Sequence, residues 1–478
     1  MMTAAACPLV EEIRPLCGEE ELFLRLAVRR HCLFLDSAMK DPALGRYSFL
    51  AADPFEYIEF AADEADRSAD WLGLLAQKMA AYRAASVPGL PPFQGGAAGL
   101  LSYDLGRQLE TLPRARIDEF QAPALAVGFY DVVIALDHCE GRGWIVSQGF
   151  PETEPAARLD RAAKRLKEVR SWLSEPVPEA LRPSRRSTLA PVAADELARQ
   201  SAAGGVEGLT SNFSRQAYLH AVRRAIDYVY AGDVFQVNLA QRLLYPACDD
   251  PADLYLRLRR RNPAPLAGYF DLGGFQIVSA SPERFLTVRA GAVEARPIKG
   301  TRPRTAQPEA DRAAAQALQS SEKDRAENVM IVDLLRNDLS KVCRAESVCV
   351  SRLCGLEVYA YVQHLVSVIR GRLRDECGPV DLVKAAFPGG SVTGAPKIRA
   401  MEIIAELEPT ARGPYCGSLG YLGFDGSMDL NILIRTITAG RGWWQFPVGG
   451  GIVAQSDPEQ EYQETWDKAE GLLRALKP

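Results

Sequence analysis

The stretch AGYFDLGGFQIVSASP, residues 267–282, contains two strand-like runs separated by the pair Gly273–Gly274. Aromatic and β-branched residues favour strands, and so short a connection joins neighbours that run in opposite directions. Further strand-like runs, such as FQVNLAQRLLY (235–245) and WWQFPVGGGIV (443–453), lie on both sides, with long helical stretches between them. Because an antiparallel sheet needs a cover on its apolar face, the sequence predicts an α+β fold with helices flanking antiparallel sheet.

Residues 174–210 form the clearest compositional break in the chain. They are rich in Pro, Ala, Ser and Gly and have little periodicity, which is typical of a linker or a mobile loop. The segment divides an N-terminal region, 1–173, from a C-terminal region, 211–478. A chain of 478 residues exceeds one ordinary core, so two domains or one composite domain is expected.

Composition and charge argue against several classes of protein. The formal net charge of −5 differs from the basic surface of general nucleic-acid or membrane binders. The ten cysteines and four histidines are scattered and form no CxxC pair, so neither a zinc site nor a disulfide framework is expected. The N-terminus does not resemble a signal peptide, and no run of about 18 apolar residues occurs. These features predict a soluble cytoplasmic protein.

The segment RPIKGTRPR, residues 296–304, places Lys299 among prolines, a glycine and three arginines. With Arg296, Arg302 and Arg304 so close, a basic loop that binds anions is the simpler interpretation. The same crowding of positive charge favours the neutral form of an amine, which is the nucleophilic form. The pattern alone leaves both alternatives open.

The helical segment DRAENVMIVDLLRND, residues 324–338, carries acids beside an apolar face. At helical spacing, Glu327 falls near the middle of that face and Asp324 at its edge. A carboxylate directed into a core needs a partner. It is therefore either a buried acid paired with an arginine or a metal-binding or catalytic group.

The last helix is predicted to begin at Asp457, which can cap it, with Pro458 at its first position. Glu461, Glu464 and Lys468 then flank the apolar stripe at spacings of three and four residues. Taken alone, this pattern is typical of a solvated face with a Glu–Lys pair. Combined with the acids of the earlier helix, it can supply oxygen ligands to one Mg²⁺ ion.

Two glycine-rich segments can bind anions through backbone N–H groups. FPGGSVTGAPK (387–397) has the glycine spacing of a phosphate loop, but Ala395 replaces the lysine, which argues against a nucleotide site. Its glycines still precede a helix that begins with proline, where free N–H groups can bind an anion. The triple glycine 449–451 can do the same, although a tight strand crossing explains it equally well. No GxCxG nucleophile elbow occurs, so cysteine-based amide hydrolysis is not expected.

A set of ordered motifs closely resembles the chorismate-utilising enzymes and covers most of residues 211–470. The motifs are SPERF (281–285), PIKGTRPR (297–304), DRAENVMIVDLLRND (324–338), QHLVS (363–367), FPGGSVTGAPKIRAMEII (387–404), YCGSLGYLGFDGSMDLNILIRTIT (415–438) and GGGIVAQSDPEQEYQET (449–465). The N-terminal LFLDSA (33–38) and GGAAGLLSYDLGR (95–107) resemble two branches of the family, the anthranilate and aminodeoxychorismate synthases, more loosely.

This resemblance implies two antiparallel sheets packed as a sandwich, with helices outside and the N- and C-terminal halves interleaved. Two positions favour the aminodeoxychorismate branch. One is Lys299 in PIKGT, where anthranilate synthases have alanine; the other is FQVNLAQR (235–242), where they tend to have FQVVPSQR. Relatives that add water to chorismate carry a lysine base at the position of Gln236, so water addition is not expected.

The resemblance also implies residue roles. Lys299 would add to C2 of chorismate while Glu283 protonates the departing 4-hydroxyl, and ammonia would then attack C4 and expel the lysine. Mg²⁺ would bind the ring carboxylate of chorismate and be held by Glu327 and Glu464, with Glu461 and Asp324 in support. The positions that line the substrate in the family are Thr301, His364, Tyr415, Arg435, Gly449, Gly451, Lys468 and Gln236.

The partners implied by the resemblance are chorismate, ammonia and a separate glutamine amidotransferase subunit that supplies the ammonia. The product, 4-amino-4-deoxychorismate, would lead to 4-aminobenzoate and folate. Some relatives hold tryptophan in the N-terminal half, and LFLDSA (33–38) matches that region. The alternatives are an anthranilate synthase component I and a non-catalytic regulatory subunit that binds chorismate or tryptophan.

Overall fold

The computed structural model describes residues 7–14, 18–42, 44–64, 70–177, 189–305, 307–358 and 362–477. Within these ranges the strands form two antiparallel sheets, of 13 and 10 strands, against which the helices pack. The predicted α+β class is confirmed. Across the same ranges, the search for a helix both long enough and apolar enough to span a bilayer finds none.

The strands of the first half of the chain are β1 (Leu9–Glu12), β2 (Leu33–Asp36), β3 (Tyr47–Ala51), β4 (Glu56–Phe60), β5 (Gly96–Leu101), β6 (Leu125–Tyr130), β7 (Val132–Asp137), β8 (Arg142–Ser147), β9 (Ser201–Ala202), β10 (Thr210–Ser211) and β11 (Gln236–Pro246). Those that follow are β12 (Leu266–Asp271), β13 (Phe275–Ser281), β14 (Arg284–Arg289), β15 (Ala292–Ala295), β16 (Ile298–Pro303), β17 (Cys349–Val358), β18 (Val362–Arg372), β19 (Gly394–Ala395), β20 (Ser418–Gly423), β21 (Met428–Asn431), β22 (Thr436–Gly440) and β23 (Trp443–Ile452).

The helices are α1 (Glu19–Ala27), α2 (Trp71–Ala81), α3 (Gly106–Leu109), α4 (Pro155–Ser174), α5 (Arg215–Tyr230), α6 (Pro251–Arg261), α7 (Pro308–Ser320), α8 (Glu322–Ser340), α9 (Pro379–Ala386), α10 (Lys397–Leu407) and α11 (Pro458–Leu473). The start of α11 agrees with its sequence, because the Asp457 side chain accepts a hydrogen bond from the Gln460 N–H at 3.0 Å. Ser321 caps α8 in the same way through the Asp324 N–H, at 3.2 Å.

The predicted hairpin at residues 267–282 is present as β12 and β13. The two strands pair from Leu266 with Ser281 to Asp271 with Gln276. Gly273 turns the chain with φ of +87°, a left-handed conformation that glycine adopts without steric cost.

Both sheets contain strands from both halves of the chain. The first sheet runs β1-β8-β7-β3-β2-β12-β13-β22-β23-β11-β10-β9, with β19 also paired to β11. The second runs β16-β18-β15-β14-β21-β20-β5-β6-β4, with β17 also paired to β18. The halves join where β2 pairs with β12 and where β5 pairs with β20. The chain is therefore interleaved.

A core fills the space between the sheets. Phe49 and Phe270 of the first sheet belong to the same buried cluster as Leu100 and Leu419 of the second. Burying each such side chain contributes roughly 1.5–3 kcal/mol to folding. Because both halves of the chain supply this cluster, it packs the two sheets against each other.

The segment predicted to be a linker, 174–210, begins where α4 ends, and residues 178–188 lie outside the described residues. The part from 189 onward contacts the first sheet. The Val192 N–H donates to the carbonyl of Arg441, and the Trp443 indole N–H donates to the carbonyl of Val192, each at 3.0 Å. The domain boundaries at 173 and 211 stay a sequence-based prediction.

Candidate active site

A cavity of about 620 Å³ lies where β11, β16 and β23 approach α8 and α11. Most of the residues predicted for the site line it. They are Lys299, Glu283, Asp324, Glu327, Glu464, His364, Tyr415, Arg435, Gly449, Gly451 and Lys468. A larger cavity, of about 720 Å³, lies beside α2 and α9 and is lined by none of them.

The remaining predicted residues, Glu461, Gln236 and Thr301, are placed differently. Glu461 is 4% exposed and reaches the wall of the cavity from behind Gly450. Gln236 is fully buried beneath Gly451, and its amide atoms have no hydrogen-bond partner among the described residues. The Thr301 backbone pairs with that of His364, and its side chain lies outside the described part of the chain.

The triple glycine both permits a strand crossing and forms a wall of the cavity. A Cβ at Gly449 would collide with the Leu239 carbonyl on β11, so the paired strands leave no room there. At Gly450 a Cβ would lie 3.2 Å from Oε2 of Glu461 and 3.5 Å from Oε1 of Glu464. The bare backbone thus lets the acids of α11 approach the sheet.

Lys299 is directed into the cavity by an irregularity in β16. The register with β18 shifts between Lys299 and Thr301, and Gly300 between them has φ of +71°. A bulge of this kind re-aims the neighbouring side chain. The Lys299 ammonium donates to the carbonyl oxygen of Ser391 at 3.2 Å.

The arginines of the same segment pair with carboxylates of their own. Arg296 lies 2.5 Å from Glu357 and Arg304 lies 3.1 Å from Asp311. Arg302, which lines the cavity, lies 3.6 Å from Asp324. Each of these arginines thus has an acidic partner, and Lys299 interacts with the carboxylates of Glu283, Glu327 and Glu464.

Glu283 follows β13 and is 6% exposed. Its carboxylate accepts hydrogen bonds from the Ser391 hydroxyl and the Ile298 N–H. Burial raises its pKa, and the nearby Lys299 charge and these hydrogen bonds offset the shift only in part. The raised pKa shifts Glu283 towards the protonated form that a general acid needs. We call Lys299, Glu283 and Ser391 the nucleophile side.

Opposite lie four acids, Asp324 and Glu327 on α8 and Glu461 and Glu464 on α11, which we call the carboxylate side. Burial raises the pKa of Glu327, and Asp324 and Glu461 raise it further. Burial and the adjacent Glu464 also raise the pKa of Glu461. Burial alone would raise the pKa of Glu464. The ammonium of Lys468, 2.6 Å away, outweighs this effect and holds the pKa of Glu464 below its ordinary value.

The donor chemistry of the carboxylate side fits a hard divalent cation, because carboxylate oxygens are the ligands that Mg²⁺ prefers and the acids repel one another without it. In this conformation, no three acid, histidine or cysteine groups among the described residues are gathered closely enough to hold a metal ion. Besides Lys299 and Arg302, two described lysines lie close to these acids. Lys468 lies beside Glu464, and Lys323 lies 3.5 Å from Glu461.

Arg435 and His364 occupy a further wall of the cavity. Arg435 has φ of +52°, an uncommon conformation for a non-glycine residue, and makes no ion pair with a described carboxylate. Burial lowers its pKa. Burial also lowers the pKa of His364 to about 4, so its imidazole is neutral near pH 7. This wall offers a guanidinium to an anionic ligand.

Sequence reasoning did not single out Ser391 or Lys323. Ser391, 7% exposed, contacts both Glu283 and Lys299 from the short 3-10 turn Gly390–Val392. Ser391 belongs to the motif at 387–404, whose glycines, rather than its serine, drew attention in the sequence. Lys323 stands four residues before Glu327, a spacing that places both on one helix face.

A smaller cavity, of about 200 Å³, lies at the segment that resembles the tryptophan region of relatives. It is lined by Leu35, Asp36 and Ser37 of that segment and by Tyr47 and Phe49 of β3. Asp36 is already paired with Arg259 at 2.6 Å. Occupancy of this cavity by tryptophan stays a prediction.

With the geometry in place, comparisons with known proteins identify the family. The family model described as chorismate binding enzyme matches residues 30–474. The chain belongs to this family. It is 44% identical over 390 residues to anthranilate synthase component 1 of Thermus thermophilus, covering 82% of this chain and 79% of that protein.

Members of both branches are similar to the chain. It is 39% identical over 468 residues to aminodeoxychorismate synthase component 1 of Klebsiella aerogenes, covering 96% of each chain. The crystal structure of anthranilate synthase component I from Streptococcus pneumoniae superimposes with a TM-score of 0.73 at 32% identity, covering 91% of this chain and 93% of that one. These similarities establish the family and the fold. Because relatives from both branches are similar to the chain, the choice between the branches depends on the residues of the site.

Proposed function

We propose that the protein is an aminodeoxychorismate synthase component I, which transfers ammonia to C4 of chorismate. The observation that carries the proposal is Lys299, whose amine enters the cavity beside the buried acid Glu283. A protein that only binds chorismate needs neither a nucleophile nor a proton donor. Here Lys299 and Glu283 supply both, and each of them contacts Ser391. Alanine at this position, as anthranilate synthases have, would leave the acid without an adjacent amine.

The reaction divides one displacement into two. The neutral amine of Lys299 forms a bond to C2, both conjugated ring double bonds shift, and the 4-hydroxyl leaves as water with the proton of Glu283, whose carboxylate then takes a proton from the bound nitrogen. Ammonia then attacks C4, both double bonds shift back, and the C2–N bond to Lys299 breaks as Glu283 returns a proton to the departing amine. The product is 4-amino-4-deoxychorismate, and the lysine is regenerated.

Magnesium would be held by the carboxylate side, chiefly Glu327 and Glu464, with Glu461 and Asp324 in support. When bound, it supplies positive charge to a ring carboxylate and fixes the position of the ring. Arg435 and Lys468 supply cationic groups to the carboxylates of chorismate, and the backbone N–H groups of 449–451 add neutral donors. Gln236 stands where a water-activating base would be needed, and an amide cannot act as that base.

Ammonia supply is the other part of the proposal. We infer that a separate glutamine amidotransferase subunit delivers ammonia to the cavity, as the "component 1" in the names of the relatives suggests. The product retains its enolpyruvyl group, so a lyase must act next to form 4-aminobenzoate for folate synthesis.

Anthranilate synthase component I is the second candidate, because the Thermus thermophilus relative at 44% identity carries that name. The two functions differ in the carbon that receives nitrogen. We would incubate the protein with chorismate, Mg²⁺ and an ammonium salt, add excess aminodeoxychorismate lyase, and identify the aromatic product by chromatography.

The proposal predicts 4-aminobenzoate, with formation reduced at least about a thousandfold in Lys299→Ala. The matched control is Lys384→Ala, which removes an exposed lysine paired with Asp70 on the outside of α9. Formation of 2-aminobenzoate would establish the anthranilate alternative. Unconsumed chorismate, with ammonium and with an added amidotransferase subunit, would contradict an enzymatic role.

A further inference from the structure

The carboxylate side already contains a half-exposed cation, the ammonium of Lys323. Its Nζ lies 3.5 Å from Oε1 of Glu461, so this lysine of α8 reaches across to an acid of α11. It also lies one helical turn before Glu327 on its own helix. Lys323 therefore links the two helices that supply the acids.

The two partners in this ion pair differ in their freedom to move. The Lys323 side chain is 48% exposed, whereas that of Glu461 is 5% exposed. Glu461 is further fixed by the Ser456 hydroxyl, which donates to it at 2.6 Å. A lysine with a long flexible stem can withdraw into solvent, but the buried carboxylate cannot follow it.

Lys468, the other lysine of this region, is held more firmly. Its Nζ donates to the Gly449 carbonyl at 2.8 Å and lies 2.6 Å from Glu464. It is therefore tied to the sheet as well as to an acid. Of the two lysines, Lys323 is the one whose contact can be exchanged for another cation without breaking a backbone hydrogen bond.

We propose that Lys323 is a resident counter-ion, which neutralises the acids of α8 and α11 in the metal-free protein and is displaced when Mg²⁺ binds. The inference rests on the proposed function in taking the carboxylate side as the magnesium site. A divalent cation among these acids repels an ammonium within a few ångströms, so both cannot keep their closest contacts. Lys323 thus stabilises the metal-free fold and weakens magnesium binding.

The test is a titration of the EDTA-treated protein with Mg²⁺ by isothermal titration calorimetry, without chorismate or turnover. In Lys323→Gln, Mg²⁺ no longer competes with the ammonium, so the dissociation constant falls by roughly three- to tenfold. Lys323→Arg keeps the positive charge and stays within about twofold of the unsubstituted protein.

The chain offers a matched control in Lys341. Its ammonium lies 3.0 Å from Asp338 at the other end of α8, with 52% of the lysine side chain and 2% of the aspartate side chain exposed. Asp338 also pairs with Lys397 at 2.7 Å, so the substitution leaves no orphaned acid. Lys341→Gln therefore changes the same kind of pair away from the cavity and leaves the magnesium affinity unchanged.

Thermal unfolding supplies an independent readout. Lys323→Gln lowers the melting temperature in EDTA, and saturating Mg²⁺ removes the difference from the unsubstituted protein, because the metal takes over the neutralisation. A lysine that served only in packing would lower the melting temperature equally in both conditions.

The outcomes test the counter-ion role of Lys323 and the magnesium site separately. If the unsubstituted protein binds Mg²⁺ and Lys323→Gln binds it with equal or lower affinity, the counter-ion role is wrong while the metal site stands. If the unsubstituted protein does not bind Mg²⁺, either alone or with chorismate, the proposed metal site is wrong and the counter-ion role is wrong with it.

Discussion

The two sides of the cavity satisfy their buried polar groups in opposite ways. On the nucleophile side, each group has a complementary neighbour: the Lys299 ammonium donates to the Ser391 carbonyl, and Glu283 accepts from the Ser391 hydroxyl. On the carboxylate side, like charges face one another, and the neutralising groups are Arg302, the sheet-bound Lys468 and the half-exposed Lys323. On the nucleophile side, the protein itself supplies a partner for each buried group. The carboxylate side is stabilised most by an added cation, which would neutralise its acids.

The difference follows from the elements that carry the groups. Lys299 and Glu283 lie on β16 and beside β14, where backbone pairing fixes the direction of each side chain. The acids lie on α8 and α11, which meet only through their side chains. The proposed nucleophile and general acid thus lie on or beside paired strands, which hold their side chains in place. The proposed metal ligands lie on two helices, where the side chains can adjust to a bound cation.

The largest effect is expected for Glu283→Gln on the nucleophile side. Burial raises the pKa of Glu283, which shifts the group towards the acid form that the proposal requires, and glutamine reproduces the shape and neutrality of that form without a transferable proton. We expect kcat/KM for chorismate to fall about 10²- to 10⁴-fold while chorismate binding stays within about threefold. Steady-state kinetics and calorimetric binding check the two parts.

The control for this substitution is Glu294→Gln on β15, outside the cavity, where the acid pairs with Arg370 at 2.9 Å. It should leave kcat/KM within about twofold. Mass spectrometry of the protein incubated with chorismate and no ammonia adds a second measure, since the adduct on Lys299 requires departure of the hydroxyl. An undiminished adduct in Glu283→Gln would assign the acid to another group.

A change on the carboxylate side is expected to have the opposite effect on stability. Glu327→Gln removes one of the mutually repelling charges that, with burial, raise the pKa of Glu327. We expect the melting temperature in EDTA to rise by about 1–3 °C. Magnesium affinity should fall roughly 10- to 100-fold, because a charged ligand is replaced by a neutral one.

Differential scanning calorimetry with and without Mg²⁺ measures both effects. The control is Glu406→Gln, which removes a partly buried acid of α10 that pairs with Arg224 and Tyr228 of α5, away from the cavity. A melting temperature that falls in EDTA for Glu327→Gln would show that the acids do not destabilise the metal-free protein. The contrast between the two sides would then be wrong.

Much of the fold could be predicted from short-range signals. The hairpin at Gly273–Gly274 and the cap at Asp457 depend on neighbouring residues, so local chemistry determines them. The pairing of β2 with β12 joins residues more than 200 positions apart, and no local pattern encodes it. The interleaved sandwich was predicted only because ordered motifs resemble a family.

The site divides in the same way. The motifs brought Lys299, Glu283 and the acids to attention because their side-chain chemistry is visible in the sequence. The sequence left open whether arginines crowd Lys299, because it could not show that Arg296 pairs with Glu357, 61 positions away, or that Arg304 pairs with Asp311, 7 positions away. The contact to the Ser391 carbonyl could not be predicted, since every residue has a carbonyl and only tertiary structure selects one.

The smallest effect is expected for a substitution that tests one hydrogen bond on the nucleophile side. Ser391→Ala removes the hydroxyl that stabilises ionised Glu283 but keeps the backbone carbonyl that binds Lys299. The pKa of Glu283 should therefore rise further, and its acid form should persist to higher pH. In a pH profile of kcat/KM, we expect the descending limb to shift to higher pH by about 0.5–1 pH unit.

Ser391→Thr keeps a hydroxyl and should restore the original limb, which distinguishes hydrogen bonding from packing. In both variants the maximal rate should change less than about threefold, because the nucleophile keeps its contact. A uniform loss of rate in Ser391→Ala with an unmoved limb would mean that the serine only fills space. A shift to lower pH would mean that the hydroxyl stabilises the protonated acid, in which case the serine and burial together would raise the pKa of Glu283.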